Sequence, residues 1–451
     1  METTTVERAA VVREPGRLRR ALGLGFGLAV TVGMTIGAGI LRAPTDVATR
    51  LPSPVLFFAA WVVGGLYALI AANSLTELGT MLPRSGGQYV FARYALGPFA
   101  GFVVGWNDWI STCGSVAAVA IVLAEALGAL VGPLAPHAMA VAVAIVVAFT
   151  ALLWRGVQQG DQAQRLTSAL KALAFLALVT ACFVLGPRSG APRVTAPPAI
   201  PTGAALAGAF IVAMQGVIFT YDGWSAPFYF SEEVREPGRE LPRAVLGGLL
   251  VVMGIYLLVN AAFVWVLPLP AIARSNMAAA SAAAVVFGSR GDMVVRLLVV
   301  LALPSAVNAL LLAASRVLYA MGRDGMAPRI AERVSEGGTP RIALFASAIV
   351  TVLFLVTGTF ETVIARLAFL FVANYALSMI AVFVLRRREP DAPRPYRAWG
   401  YPWSTVLALL LSVSFLVGMG VSDWSNTRIA LLLVVISYPV FALLVRRAGR
   451  A

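Results

Sequence analysis

Apolar stretches of about 20 residues, separated by short polar segments, recur along nearly the whole chain. A hydrocarbon core about 30 Å thick needs about 20 apolar helical residues per crossing. The pattern therefore predicts an all-α integral membrane protein with about twelve transmembrane helices. The predicted spans are 22–43, 54–76, 98–131, 138–156, 165–187, 204–231, 242–268, 293–321, 341–358, 361–386, 403–421 and 428–445. The ninth and tenth are separated only by a tight turn at Gly358 and Glu361.

Composition supports solvation by lipid. Of the 451 residues, 59% are hydrophobic and 12% are charged, whereas a soluble domain carries about 25% charged residues. The net charge of +14 would suggest nucleic-acid binding in a soluble protein. Here we expect no nucleic-acid partner, because the basic residues collect in loops on one side of the predicted spans.

The distribution of basic residues predicts the orientation. Of the 35 Lys and Arg residues, 25 lie on the side of the N-terminus and nine lie in the opposite loops. The positive-inside rule then places a tail at 1–21 and a tail at 446–451 in the cytoplasm. The polar, basic start lacks the short apolar core of a cleaved signal peptide. We expect a multi-pass protein of the cytoplasmic membrane.

Two predicted spans are interrupted. The first contains three glycines in the segment Gly33-Met34-Thr35-Ile36-Gly37-Ala38-Gly39, and the sixth contains Asp222 and Gly223. For either break alone, close helix packing through small residues is an alternative. Breaks at matching places in two halves are typical of transporters built from inverted repeats. The pattern predicts a first repeat at 22–187, a second at 204–386 and two further helices at 403–445.

The two breaks offer complementary groups. Free amides near Gly37, Ala38 and Gly39 suit a carboxylate, since they lie at the positive end of a half-helix. Free carbonyls in the sixth span, with the Asp222 carboxylate, suit an ammonium group. The pair therefore fits an α-amino acid zwitterion.

Four ordered motifs resemble signatures of the amino acid–polyamine–organocation superfamily, and they cover essentially the whole chain. They are Gly33 to Ile40, Glu77-Leu78-Gly79 with Pro83 to Tyr89, Tyr221 to Trp224 with Glu232-Glu233 and Pro237 to Ala244, and Ser315-Arg316 with Ala320 to Gly325. The branch that the chain resembles is that of the bacterial relatives of L-type amino acid transporters. This resemblance implies a LeuT-like fold of ten helices in a 5+5 inverted repeat plus two C-terminal helices.

The resemblance also implies an amino acid transporter that works by alternating access, with helices 1, 2, 6 and 7 rocking against 3, 4, 8 and 9. The implied substrate residues are Thr35, Ile36, Gly37, Ala38, Gly39, Phe219, Thr220, Asp222 and Gly223. Phe219 would be an aromatic gate, although ordinary core packing also explains it. Small residues at Ala38, Thr220 and Ala306 leave room for a neutral L-amino acid.

Lys171 lies about 9 Å into the fifth span, where a lysine is costly and usually functional. Snorkelling of its ammonium group to the surface is the alternative. The resemblance implies that it occupies the place of a bound sodium ion, next to carbonyls near Gly33 and with Ser305 as a partner. We therefore predict sodium independence, with proton coupling through Lys171 as a variant.

Asp108 lies near the middle of the third span. An acid at that depth faces a cavity or a partner. It could recognise a substrate side chain, relay a proton or brace two helices.

Glu232 and Glu233 directly follow the sixth span. An ion pair with Arg323 or Arg84 would make a gate that opens easily, because surface pairs contribute only about 0–1 kcal/mol. A solvated charged surface is the alternative.

Other functions have weaker support. A channel needs more polar residues along its path, and an enzyme needs catalytic clusters that the sequence lacks. We expect no cofactor and no metal site. Proton-coupled symport of amino acids or polyamines, and amino acid sensing without transport, remain alternatives. The animal L-type transporters that the chain resembles are linked to a glycoprotein subunit through a cysteine in the loop after the third helix. The corresponding loop, Leu130 to Met139, has no cysteine, so we expect no covalently linked heavy-chain subunit.

Overall fold

The computed structural model describes residues 23–154, 160–186, 199–335, 338–357 and 359–448. The predicted tail at 1–21, the turn residue Gly358 and the last three residues lie outside these ranges. Within them, every regular element is helical. The first half of the chain forms α1 (Leu24–Thr35), α2 (Gly39–Arg50), α3 (Pro54–Met81), α4 (Gln88–Leu96), α5 (Pro98–Leu130), α6 (Ala138–Trp154) and α7 (Gly160–Leu185).

The second half forms more helices of very different lengths. They are α8 (Gly203–Tyr221), α9 (Ala226–Tyr229), α10 (Pro237–Pro242), α11 (Gly248–Val266), α12 (Leu269–Ala273), α13 (Ala278–Phe287), α14 (Gly291–Arg323), α15 (Arg341–Thr357), α16 (Phe360–Arg388), α17 (Trp403–Ser422) and α18 (Trp424–Ala448). A π-helical turn, Arg243–Gly247, joins α10 to α11.

The described residues contain ten helices that are long and apolar enough to cross a membrane, and the bent pair α1–α2 makes an eleventh. At 17 residues, α15 is slightly shorter than these. The all-helical, multi-pass class is therefore confirmed, whereas the count of twelve spans stays a prediction. Between the ninth and tenth predicted spans, α15 ends at Thr357 and α16 begins at Phe360.

Three helical segments differ from the sequence prediction. The first span was predicted to end at 43, but α2 continues to Arg50 because its apolar residues are buried on one side while its polar residues lie on the other. Residues predicted as loops form α4 and α13, with nine and ten residues. Apolar stretches of this length are shorter than the roughly 20 residues by which a membrane span is recognised in a sequence.

Among the candidate membrane spans, those that contain α5, α14 and α16 are the most buried inside the bundle, and α18 is the least buried. The two broken segments pack among these central helices. Exposed apolar side chains such as Leu301, Trp403 and Val421 cover the outer surface, as a surface solvated by lipid requires.

A buried cluster of ion pairs around Glu77 fixes the chain that follows α16, since Arg394 in that chain also pairs with Glu77 at 3.2 Å. The Glu77 carboxylate accepts hydrogen bonds from Arg386 at 2.7 and 2.6 Å and from the Ala398 amide at 2.7 Å. Removing one partner of such a buried pair typically costs about 3–5 kcal/mol. This pair therefore holds the connection between α16 and α17 against the end of α3.

Candidate substrate site at the two helix breaks

The first predicted break is present between α1 and α2, whose axes differ by 43°. Ile36, just after α1, is extended (φ −74°, ψ 92°), and no side chain caps the start of α2. Gly37 keeps partial exposure while the residues on either side of it are buried. The amides at the start of α2 are therefore available to an anionic group, with the positive end of the α2 dipole behind them.

The second predicted break follows α8. Asp222 is extended (φ −61°, ψ 150°) and Gly223 has a φ of +112°. The Asp222 carboxylate accepts a hydrogen bond from the Tyr375 hydroxyl on α16. Asp222, like Gly37, is partly exposed in an otherwise buried segment.

The two breaks are in direct contact. A Cβ atom on Gly39 would lie 2.5 Å from Thr220 Oγ1, and one on Gly223 would lie 2.8 Å from the Thr35 nitrogen. Only residues without a side chain permit this approach. The amide-rich start of α2 and the carbonyl-rich end of α8 therefore form one site.

Tyr256 on α11 joins the two breaks, and the sequence did not reveal it. Its buried hydroxyl lies 2.6 Å from the Thr35 carbonyl oxygen and 2.9 Å from the Thr220 carbonyl oxygen. The Tyr256 hydroxyl thus donates a shared hydrogen bond to one carbonyl of each broken segment. Nothing in the apolar sequence around Tyr256 distinguishes it from a packing residue.

Lys171 on α7 is fully buried rather than directed to the membrane surface. Its ammonium Nζ donates a hydrogen bond to the Gly33 carbonyl at 2.9 Å, as the resemblance implied. The Ser305 hydroxyl instead donates to the Ala302 carbonyl at 2.9 Å. Among the described residues, Ser305 makes no hydrogen bond with Lys171.

An ion-pair cluster that the sequence analysis missed lies beside Phe219. Arg42 on α2 pairs with Glu125 and, at 3.6 Å, with Glu361, and its guanidinium lies 4.9 Å from the Phe360 ring centre. The Phe219 ring meets Phe360 edge-on at 6.1 Å. We call Arg42, Glu125, Phe360 and Glu361 the Arg42 cluster. The only sequence signal was a single arginine in an otherwise apolar predicted span.

A second cluster follows α9. Glu232 pairs with Arg323 at 3.1 Å, as predicted, and Glu233 pairs with Arg316 at 3.4 Å. We call these four residues the glutamate cluster. The predicted alternative partner Arg84 is wrong, because Arg84 pairs with Asp324 at 3.6 Å.

Asp324, which pairs with Arg84, has further partners. It also pairs with Arg93 at 3.1 Å and accepts a hydrogen bond from the Tyr89 hydroxyl at 3.2 Å. Burial and the neighbouring Asp324 raise the pKa of Tyr89, so Tyr89 is a neutral hydrogen-bond donor. Asp324, the residue after α14, thus pairs with Arg84 and Arg93, and Arg323 binds Glu232 as well as Asp324.

The two clusters lie at opposite ends of the helix bundle. Gly105 near the start of α5 packs on Met321, two residues from Arg323. Glu125 lies 20 residues further along the same helix, which corresponds to about 30 Å at 1.5 Å per residue. The site at the breaks is therefore bounded by an ion-pair cluster on each side.

Asp108 on α5 is buried and accepts a hydrogen bond from the Tyr229 hydroxyl on α9 at 2.6 Å. Of the three roles open to Asp108, bracing of α5 against α9 has a contact to support it. Among the described residues, only one of the two Asp108 carboxylate oxygens has a hydrogen-bond partner.

Two broken helices that meet inside a multi-pass helical bundle define a membrane transporter with its site at the breaks. The chain belongs to the amino acid permease family, whose family model matches residues 27–439. The members of this family are transporters, not enzymes, and they share the LeuT-like membrane fold.

The chain is similar to amino acid transporters from bacteria and mammals. It is 26% identical to the serine/threonine exchanger SteT of Bacillus subtilis (strain 168) over 435 residues, which cover 95% of this chain and 97% of that protein. It is 28% identical to the human large neutral amino acids transporter small subunit 2, covering 84% of this chain and 72% of that protein. It is 26% identical to the mouse b(0,+)-type amino acid transporter 1, covering 84% and 79%.

Proposed function

We propose that this chain exchanges amino acids across the cytoplasmic membrane without sodium, by alternating access. The observation that carries the proposal is the contact between the two breaks, with the Lys171 ammonium bound to the Gly33 carbonyl beside them. The printed names of the relatives include an exchanger and amino acid transporters, which supports amino acid exchange as the activity.

The substrate's two charged groups would bind to the two breaks. Its carboxylate would accept hydrogen bonds from the amides around Gly37, Ala38 and Gly39, and its ammonium would bind the carbonyls of Phe219 and Thr220 and the Asp222 carboxylate. Ile36 and Gly223 would keep both segments non-helical. Such preformed polar groups in an apolar surround give orientation and specificity.

Sodium independence would follow from Lys171. A sodium ion at a helix break is bound by backbone carbonyls, and here a fixed cationic side chain already binds the Gly33 carbonyl at 2.9 Å. Because the positive charge is covalently attached, it would support the broken helix without an ion from solution.

The two ion-pair clusters would be the gates. With the orientation predicted from the basic loops, the glutamate cluster would face the cytoplasm and the Arg42 cluster would face outward. Phe219 would close over the substrate against Phe360. Opening one cluster while the other stays paired would give alternating access, with the rocking helices predicted above.

We also propose that the chain works without a disulfide-linked subunit. The chain has two cysteines, Cys113 and Cys182, and both are free and buried. A buried thiol is not accessible to a cysteine of a second protein.

The test is uptake of a labelled amino acid mixture into sodium-free liposomes that contain the purified protein. One set holds unlabelled amino acids and the other is empty. Uptake only into the loaded set is expected for exchange. Uptake into both sets that follows an inward proton gradient would instead support symport, and uptake that requires added sodium would contradict the role of Lys171. Binding without uptake under any condition would indicate a sensor.

The Arg42→Glu variant tests the outer gate. We expect exchange to fall by more than about tenfold, because the new carboxylate would face Glu125 and Glu361 and like charges at close range cost several kcal/mol. The double variant Arg42→Glu with Glu361→Arg should recover part of the activity. Initial rates of exchange in loaded liposomes measure both effects.

Arg274→Glu is the matched control, since Arg274 is an exposed arginine in the loop predicted on the same side of the membrane. It should exchange at the original rate. Equal rates for Arg42→Glu and Arg274→Glu would show that the Arg42 cluster is not a gate.

A further inference from the structure

A polar face on the otherwise apolar helix α5 is not used by the site described above. Asp108, Thr112 and Ser115 are buried, and their spacings of four and three place them on one side of the helix. The Tyr229 hydroxyl, which follows the second break, donates to Asp108 Oδ1 at 2.6 Å. Because α9 directly follows the second break, this contact turns Asp108 toward the segment after that break.

The Asp108 carboxylate uses only one of its two oxygens in hydrogen bonds with the described residues. Only 3% of the residue is exposed, and its Oδ2 has no hydrogen-bond partner among the described residues. The Tyr229 hydrogen bond fixes the orientation of the carboxylate, because Oδ1 is occupied. The second oxygen is therefore held in one position without a protein donor.

The described residues also supply no cation for this pair of acids. The ion pairs of the bundle involve neither Asp108 nor Asp222. Lys171 is the only lysine in the chain, and its ammonium binds the Gly33 carbonyl instead. An unpaired carboxylate inside a membrane protein is costly, so such groups mark binding or proton-transfer sites.

We infer that Asp108 binds a cationic group on the substrate side chain, an ammonium or a guanidinium, so that the chain carries basic amino acids. The inference rests on the proposed function, because it places the α-amino and α-carboxyl groups at the two breaks. From there the side chain extends along the polar face of α5 to Asp108 Oδ2. A neutral substrate was predicted from the small residues of the site, which determine size and give no information about charge.

The experiment compares labelled arginine with labelled citrulline in sodium-free liposomes that are loaded with an unlabelled amino acid mixture. The two compounds have nearly the same shape and the same charged α-amino and α-carboxyl groups, but only arginine has a charged side chain. We expect the wild type to prefer arginine by more than about tenfold in kcat/KM, since a charge-assisted hydrogen bond is worth at least that. In Asp108→Asn the ratio should fall close to one.

The matched control is Asp391→Asn, which makes the same chemical change at an exposed position of the loop after α16. It should keep the arginine preference of the wild type. If Asp108→Asn does not purify as a monodisperse protein, thermal stabilisation of the wild type by arginine against citrulline decides the question without a variant.

Each result has a defined meaning. Equal uptake of arginine and citrulline by the wild type would overturn the side-chain subsite and leave the exchange activity intact. Citrulline uptake that is driven by a proton gradient and lost in Asp108→Asn would assign Asp108 to proton transfer and also overturn the inference. Failure to take up any amino acid would contradict the proposed function itself.

Discussion

Replacing Gly223 with alanine is expected to reduce amino acid uptake by more than about 100-fold. Its φ of +112° is strained for any residue with a side chain, at a cost of about 1–3 kcal/mol. The added Cβ would also lie 2.8 Å from both the Thr35 nitrogen and the Met34 carbonyl carbon. Backbone atoms cannot rotate away, so the two breaks would be forced apart. Uptake into loaded, sodium-free liposomes measures the loss.

Gly288→Ala separates the strain of a positive φ from the close contact of the new Cβ atom with backbone atoms. Gly288 also has a positive φ, +60°, but nothing lies within 4 Å of a Cβ atom at that position. This variant should lose some thermal stability and still transport. If Gly223→Ala transports as well as Gly288→Ala, contact between the breaks is not required for uptake.

The positions of the breaks could be predicted from the sequence because their signal is local. Glycines and an acid at membrane depth interrupt an apolar run whatever surrounds them, and the structure ends α1 at Thr35 and α8 at Tyr221. The full length of α2 could not be predicted in the same way. Its polar residues lower the local hydropathy, and only the packing of its apolar residues beside α8 shows that the helix continues to Arg50.

Residues that act through tertiary contacts were harder to predict from the sequence. Tyr256 and Arg42 are single polar side chains whose partners lie far away along the chain. Arg84 illustrates the opposite error, since several carboxylates near the end of α14 compete for the same arginines. Asp324 takes Arg84 and Arg93, and a charge pattern alone cannot assign such pairs.

Lys171 could be singled out because a lysine is rare at that depth, and its hydrogen bond to the Gly33 carbonyl is the contact that the resemblance implied. Ser305, which was predicted as a partner of Lys171, donates to the Ala302 carbonyl instead, because a serine hydroxyl can bind a carbonyl of the preceding helical turn. The proposed sodium-independent mechanism depends on this one side chain. Every other basic residue that the positive-inside count includes is an arginine, so no second lysine can take over its role.

The Lys171→Met variant is therefore expected to lower sodium-free exchange by roughly 100-fold. Methionine keeps much of the apolar volume but removes the donor, and a buried carbonyl that loses a charged partner costs about 1.5–3 kcal/mol. Without the fixed cation, the Gly33 end of α1 would no longer be held beside α7. Exchange rates in sodium-free and sodium-containing liposomes measure the effect, and partial recovery with sodium would indicate that the ion can occupy the same place.

Leu170→Met is the matched control, because Leu170 precedes Lys171 on α7 and is 55% exposed at the outer surface of the bundle. Its exchange rate should equal that of the wild type. Lys171→Met activity close to the control would mean that the ammonium only packs against α1. Sodium-independent exchange would then need another explanation. The Asp108 carboxylate, whose second oxygen has no hydrogen-bond partner among the described residues, would be the next group to test for ion coupling, since intramembrane acids mark binding or proton-transfer sites.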